Sequence, residues 1–331
     1  MEFLKYLFSR TITLILVVFI GMTIVFFVTR AMPNDPIESA LSQMTGESGQ
    51  IDAEALEEMR HILAQNYGLE GTMWEQYVSF LKRSVTFDFG PSFTFYPTSV
   101  NALIGRALPW TMGLMLTTTI IAWIIGNIIG LLAGFRPEKA SSKILEGIST
   151  VLYPIPYYIL ALFLIMLFSY ILPVFPLTTN VKGDPISLKW IGSVLYNSIL
   201  PALSLILVGL GWWVLSMRTL VLDTKKEDYV EFAKLKGIKK KKIMWKYVAP
   251  NTMLPQVTAL ALQLGKIFSG SIIVEVLFAY PGIGTLLYNS VLQADYNLIL
   301  GTITTSIIAV AVATYVVDMI YPLLDPRIRY S

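Results

Sequence analysis

The chain has 331 residues, of which 55% are hydrophobic and only 14% charged, with a mean hydropathy of +0.63 and a formal net charge of +3. A soluble domain carries about a quarter charged residues, so this chain lacks the polar surface to face water on all sides, and an integral membrane protein is the class that remains. With no cysteine, disulfides, thiolate catalysis and cysteine-based metal sites are excluded, and the one histidine, His61, cannot by itself supply the usual ligand count of a metal site. No Gly-x-x-x-x-Gly-Lys-Ser/Thr run is present, so any nucleotide must be handled by another chain.

Six apolar stretches are long enough to cross about 30 Å of hydrocarbon. The first, Thr11–Val28, follows Lys5 and Arg10. It is longer than a signal-peptide core, and no small-x-small site follows at Thr29-Arg30-Ala31-Met32, so it reads as a retained helix. Residues 30–109 then form a long polar insertion with its own helical periodicity. Leu56, Met59 and Leu63 share one face, as do Trp74, Tyr77, Val78, Leu81 and Val85, and Thr72 with Glu75 makes a capping box. The remaining spans are predicted at Trp110–Phe135, Ile148–Leu172, Ser198–Met217, Met253–Phe278 and Leu298–Leu323. Gly126, Gly130 and Gly134 recur every fourth residue in the second of the six, a pattern that lets helix backbones approach. Trp110 and Trp190 lie at span ends and read as interfacial anchors; Trp212-Trp213, inside the fourth span, reads as helix packing rather than a sugar-stacking platform.

Lysine and arginine set the expected orientation. One side receives Lys5, Arg10, Arg136, Lys139, Lys143, the Arg218–Lys246 cluster, Arg327 and Arg329. The other receives Arg30, Arg60, Lys82, Arg83, Arg106, Lys182 and Lys189, offset by the acidic Asp52, Glu54, Glu57 and Glu58. Both termini are therefore expected in the cytoplasm and the insertion outside. The resulting division is 1–29 as N-terminus and first helix, 30–109 as extracytoplasmic insertion, and 110–331 as a five-helix core with a cytoplasmic loop at 218–252.

That loop holds the densest charge in the chain. Thr224 and Glu227 match a second capping box, which predicts a helix start, with Tyr229, Val230, Phe232, Ala233 and Leu235 as its apolar positions. Gly237 suits a left-handed helix stop. A shorter helix is expected from Lys239, with Ile243, Met244 and Tyr247 on its apolar side and Pro250 closing it. Attraction to anionic lipid explains the lysines but not the fixed order of Glu231, Ala233 and Gly237.

Five stretches resemble one family, the membrane subunits of ATP-binding cassette importers of the dipeptide/oligopeptide and nickel permease type. Glu231-Phe232-Ala233, three residues, then Gly237 resembles the family's Glu-Ala-Ala-x-x-x-Gly loop, with Phe232 in place of an alanine and Tyr247 and Ala249 at later positions where isoleucine and leucine are usual. Met32-Pro33-Asn34-Asp35-Pro36 is similar to Pro-Gly-Asp-Pro, with Asn34 for glycine; Asp88-Phe89-Gly90-Pro91-Ser92 is similar to Gly-Asp-x-Gly-x-Ser. Val274 through Gly284 resembles the fifth-helix signature, and Asp325-Pro326-Arg327-Ile328-Arg329 the C-terminal Asp-Pro-Arg element.

The resemblance implies an all-α type I importer permease (MetI-like) fold of six transmembrane helices, with a small helical insertion after the first. It implies a coupling helix that docks on an ATPase through Tyr229, Glu231, Phe232, Ala233, Leu235, Gly237 and Ile238. It implies a second homologous permease as heterodimer partner, two ATPase subunits carrying ATP and magnesium, and an extracytoplasmic solute-binding protein. No cofactor, metal, catalytic residue or nucleic acid is expected on this chain. Peptide is the implied substrate class, with oligosaccharides or nickel served by related permeases. An ion-coupled secondary carrier is the competing class, and it would call for several carboxylates inside the membrane or broken spans in both halves; of carboxylates, only Glu275 and Asp318, both near span edges, are available.

Lys266 sits near the middle of the fifth predicted span, where a charge must face protein or water. Gln263, Ser269 and Gly270 are its helical neighbours and make a polar stripe, so Gln263, Lys266, Ser269 and Glu275 are the candidate pathway residues, with a structural ion pair as the alternative for Lys266. At about 100° per residue, Glu275, nine residues on, is expected on the opposite face from Lys266, so the two cannot pair along this helix. Glu275 also suits a structural place at the outer gate. Asp318, near the cytoplasmic end of the last span, is expected to pair with a basic loop residue rather than to serve a proton relay.

Overall fold

The computed structural model describes residues 2–32, 37, 38, 41, 53–66, 68–265 and 267–324. Among them every regular element is helical. In chain order they are α1 (Glu2–Arg30), α2 (Ala53–Asn66), α3 (Met73–Val85), α4 (Val100–Phe135), α5 (Ala140–Leu152), α6 (Tyr157–Ile165), α7 (Leu188–Thr224), α8 (Asp228–Leu235), α9 (Lys240–Ile243), α10 (Ala249–Gly265), α11 (Ile272–Leu277), α12 (Ile283–Leu292) and α13 (Tyr296–Leu324).

Four of the six expected spans are uninterrupted helices: α1, α4, α7 and α13. The apolar runs starting at Trp110 and Ser198 are the inner parts of helices that begin ten residues earlier, at Val100 and Leu188. Their starts are fixed by Ser99, whose hydroxyl accepts from the Ala102 N–H at 3.3 Å, and Ser187, which accepts from Trp190 at 3.1 Å. The third expected span is not one rod. Residues 140–152 and 157–171 meet at 98°, and the break falls on Tyr153-Pro154-Ile155-Pro156. Two prolines there remove two backbone donors and bias the residues before them away from helix. The fifth is also interrupted: α10 ends at Gly265, a single 3-10 turn spans Ile267–Ser269, Gly270 is left-handed at φ +66°, and α11 restarts at Ile272.

The centre of the bundle is the parallel pair α4 and α7. A Cβ placed at Gly126 would lie 2.5 Å from the Trp213 Cβ, at Gly130 2.6 Å from the Val214 carbonyl oxygen, and at Gly134 2.8 Å from the Arg218 carbonyl oxygen. The glycine stripe therefore does what its spacing predicts: one backbone lies directly on the other. Trp213 is buried by this contact.

The insertion rests on one end of α1 and α13. Phe26 is fully buried between Tyr77 (ring centroids 5.3 Å apart) and Phe80 (5.6 Å), and the Tyr77 and Thr23 hydroxyls are 2.7 Å apart. The capping box of α3 is present: the Glu75 N–H donates to Thr72 Oγ1 at 3.3 Å, and Glu75 Oε2 accepts from the Thr72 N–H at 2.7 Å. The buried face of α3 is centred on Tyr77 and Phe80, however, and Trp74 and Val85, expected on that face, are exposed. On α2, Leu63 is buried and Met59 packs beside it, while Leu56 is exposed.

At the same end, Asp295 ties the Asp88–Ser92 stretch to the head of the last helix. Asp295 is fully buried. Its carboxylate accepts from the Ser92 hydroxyl, from the Thr94 N–H at 3.0 Å and from the Leu298 N–H at 3.1 Å, so it caps α13 and holds the loop at once. Arg30, the last residue of α1, lies over the Tyr296 ring, 5.8 Å from its centroid. At the far end of the same two helices, Arg10 pairs with Asp318 at 3.3 Å, so the partner of Asp318 is a cation within the first helix and not the loop residue expected, because α1 packs along the last helix.

Candidate functional site

Two regions gather the functional candidates. The first is the 224–248 segment. The second capping box is absent here: α7 runs on to Thr224, and α8 starts after Glu227, whose side chain makes no cap bond. Burial decides this, because Met217 and Val221 continue the buried face of α7 into the same cluster that holds the loop, and that packing outweighs a local Thr-x-x-Glu signal.

α8 has two apolar faces. Val230 and Ala233 point inward, against Leu131, Met217, Val221, Ile243, Met244 and Val248. Tyr229, Phe232 and Leu235 point outward, at 39%, 63% and 82% exposure, with Glu231 also exposed. Gly237 ends the helix at φ +69°. Its N–H donates to the Lys234 carbonyl at 2.9 Å, and that of Ile238 to the Ala233 carbonyl at 3.2 Å, the paired bonds of a Schellman stop. Ile238 packs on the inner cluster near Ala233, the apolar contact that such a stop uses. A Cβ at Gly237 would meet nothing within 4 Å, so the glycine is there for its dihedral angles and not for space.

Ile243 and Met244 are buried and Tyr247 half-buried, as expected, but Pro250 closes nothing. α9 passes through a wide π turn at Met244–Val248 directly into α10. A widened turn just before a proline relieves the clash between its ring and the carbonyl one turn back. The loop thus runs straight into α10 at one end and leaves α7 through a short turn at 225–227 at the other. Lys225 fastens the first junction, its ammonium donating to the Phe135 carbonyl at 2.9 Å, and burial there pushes its pKa down.

The second region is the break in the fifth span. A cavity of about 280 Å³ opens beside it. Gln263, Gly270 and Ser271 line it from the broken segment, Thr118 and Thr119 from α4, and Gly209 and Trp213 from α7. The Ser271 hydroxyl is buried without a partner among the described residues. Gln263 is therefore on the cavity wall. Lys266 lies outside the described residues, as does the side chain of Ser269. The helical-wheel expectation that position 266 and Glu275 lie on opposite faces does not carry over, because no single helix joins them.

Glu275 is absent from the cavity lining and fully buried. Thr111 Oγ1 donates to its Oε1 at 2.9 Å, the Gly284 N–H donates to its Oε2 at 2.6 Å, and the Ile283 N–H donates to Thr111 Oγ1 at 2.8 Å. A Cβ would lie 2.3 Å from Glu275 Oε2 at Gly282, 2.8 Å at Gly284, and 3.1 Å from Oε1 at Gly270. The Glu…Gly-x-Gly pattern is thus one object: a carboxylate folded back over the turn between α11 and α12, with glycines wherever a methyl group would collide with it. Thr111 and Asp295 are the structural residues that sequence reasoning missed. Thr111 lies 164 positions from its partner, and no local pattern marks it.

Of the smaller expectations, His61 Nδ1 lies 3.4 Å from a Glu70 carboxylate oxygen. Trp110 packs edge-on against Trp190 (5.9 Å) and Tyr280 (5.6 Å), so the two predicted anchors form one cluster. The Asp-Pro-Arg element and residues 33–36 lie outside the described residues.

An all-helical bundle in which four helices are long and apolar enough to cross a membrane, with a lysine-rich loop packed against its end, is the architecture of an integral membrane subunit. The chain belongs to the family of inner membrane components of binding-protein-dependent transport systems: the model of that name matches residues 126–330, and the model of its N-terminal membrane component matches residues 3–114. It is a permease subunit of an ATP-binding cassette importer. Among its relatives, the oligopeptide transport system permease protein AppB of Bacillus subtilis (strain 168) is 32% identical, the match covering 98% of this chain and 99% of that one. The dipeptide transport system permease protein DppB of the same organism is 30% identical, over 98% of each chain. The glutathione transport system permease protein GsiC of Shigella flexneri is 28% identical, over 99% of this chain and all of that one.

Proposed function

We propose that this chain forms half of a pathway for peptide uptake, coupled to ATP hydrolysis through the 228–238 segment. The substrate class rests on the relatives, which carry oligopeptide, dipeptide and glutathione transport in their names. The observation that carries the coupling is the two-sided α8: Val230 and Ala233 anchor it to the bundle, and Tyr229, Phe232 and Leu235 offer three apolar side chains outward. An apolar row on a helix fixed at both ends fits a groove in a partner, and flanking lysines suit an acidic rim.

The partners are two ATPase subunits that hold ATP and magnesium, a second permease completing a heterodimer, and a solute-binding protein outside; this chain holds no cofactor. Both termini and α8 face the cytoplasm, and the 30–109 insertion is extracytoplasmic. When the ATPases close, α8 moves as a lever, and the packing of Val230 and Ala233 on Met217, Val221, Ile243 and Val248 carries that motion through α7 and α10 to the cavity beside Gln263. The test is reconstitution of the complete complex with its binding protein. Stimulation of ATPase activity and accumulation of labelled di- and oligopeptides is the expected result; stimulation by oligosaccharide or nickel alone overturns the peptide assignment.

A further inference from the structure

A separate cavity of about 430 Å³ lies beside the wide turn before Pro250, between the end of α4, the start of α5 and the 241–245 stretch. Its wall is divided. Arg136, Lys139 and Lys241 supply positive charge, and Leu145 and Trp245 supply apolar surface. None of the three cations forms a salt bridge among the described residues. The carboxylate of Glu146 is already taken by Arg218 at 2.7 Å.

The surroundings place this cavity at the surface of a bilayer. α5 starts at these cations and runs beside α7: Glu146 pairs with Arg218, and further along an ideal Cβ at Gly211 would lie 3.0 Å from the Ser149 carbonyl oxygen and 2.8 Å from the Tyr153 nitrogen. Ile144, Ile148 and Val151, at i, i+4 and i+7, are 62%, 51% and 64% exposed, an apolar stripe left uncovered by the described residues of this chain. Starting beside the cations, this stripe faces acyl chains just below the headgroup level. Trp245, about half exposed, is the residue type that settles at that depth. The cavity is thus open toward lipid, positive at one side and greasy at the other. A soluble anion satisfies only the first property and an acyl chain only the second.

We propose that this cavity binds one anionic phospholipid. Its phosphate sits among Arg136, Lys139 and Lys241, and an acyl chain runs along Leu145 and Trp245 toward the α5 stripe. Bound there, the lipid bridges α4 and α5 to the base of the coupling segment.

The test uses the complete transporter in nanodiscs of phosphatidylcholine doped with a photoactivatable phosphatidylglycerol. Cross-linking is expected within residues 132–145 or 241–245. Each cation is worth about fivefold, so R136Q/K139Q/K241Q weakens labelling about a hundredfold. The pair K182Q/K189Q, at the other end of the bundle, leaves it unchanged. A photoactivatable phosphatidylcholine probe on the unaltered protein labels the site only at background, which keeps the test independent of how the triple variant folds. Four results overturn the proposal: equal labelling by the phosphatidylcholine probe, undiminished labelling of the triple variant, displacement by inorganic phosphate at matched ionic strength, and labelling only after the ATPases are stripped away.

Discussion

Gly237 and Gly282 respond differently to an added methyl group. At Gly237 the space is empty but the backbone is left-handed, so Gly237→Ala costs about 1–2 kcal/mol through dihedral strain. At Gly282 the backbone is extended, but the new Cβ meets Glu275 Oε2 at 2.3 Å and Thr111 Oγ1 at 2.5 Å, and overpacking of about 1–3 kcal/mol follows. Hydrogen exchange of the detergent-solubilised chain separates the two: Gly237→Ala loosens amides in 228–243, Gly282→Ala those in 272–292. Equal loosening of both regions by either variant contradicts this account. Glu75 gives a pH effect of known sign. Bonds from the Thr72 backbone and hydroxyl hold its carboxylate below the ordinary range. A depressed folded pKa means that the cap is in force above the unfolded value of about 4.3 and is lost as pH falls through the lower folded value. Protection of the first amides of α3, corrected for intrinsic exchange, is expected to be flat from neutral pH down to about 5 and to fall only in stronger acid, with Thr72→Ala low throughout. The Thr72 and Thr224 boxes read alike in sequence. Only the first is real, because nothing buried competes with it, whereas Met217 and Val221 carry α7 past Thr224.

At the level of elements, hydropathy located all six apolar segments but was blind to how the backbone runs within them. Two of the breaks had local marks: the prolines at 154 and 156, and Ser269-Gly270-Ser271. A composition window averages such residues away. The glycine stripe of α4 was legible because its consequence is steric and repeats every turn. Gly130→Val puts branched carbons where the Val214 carbonyl oxygen already lies 2.6 Å from an ideal Cβ, and it is expected to prevent the α4–α7 approach, seen as loss of the folded species in size-exclusion chromatography. In the proposed coupling the two faces of α8 have separate tasks, packing inward and docking outward. Leu235→Asp leaves the permease folded and cuts its association with the ATPases by about 2 kcal/mol, whereas Val230→Asp buries a charge and unfolds the loop. Co-purification of the ATPases with Leu235→Asp at the unaltered yield counts against the outward face as the docking surface. The inward and outward halves of α8 were not separable from sequence, since all five apolar positions scored alike until the partners of Val230 and Ala233 were seen.

For the whole molecule, the absence of cysteine makes orientation measurable with single reporters. Lys240→Cys is expected to react with a membrane-impermeant maleimide only in inverted vesicles, and Lys182→Cys only from the outer face of intact cells; the reverse pattern inverts the proposed topology. The arrangement of α1 and α13 constrains motion further. The two helices are joined near one extremity by Arg30 over Tyr296 and near the other by Arg10 with Asp318, while Asp295 binds the Ser92 loop to the head of α13. Rods pinned at both tips swing as one strut. Any rearrangement that exposes the passage alternately must therefore slide between this strut and the glycine-locked α4–α7 pair, so the broken fifth span, which packs against both, becomes the pliable seam of the machine.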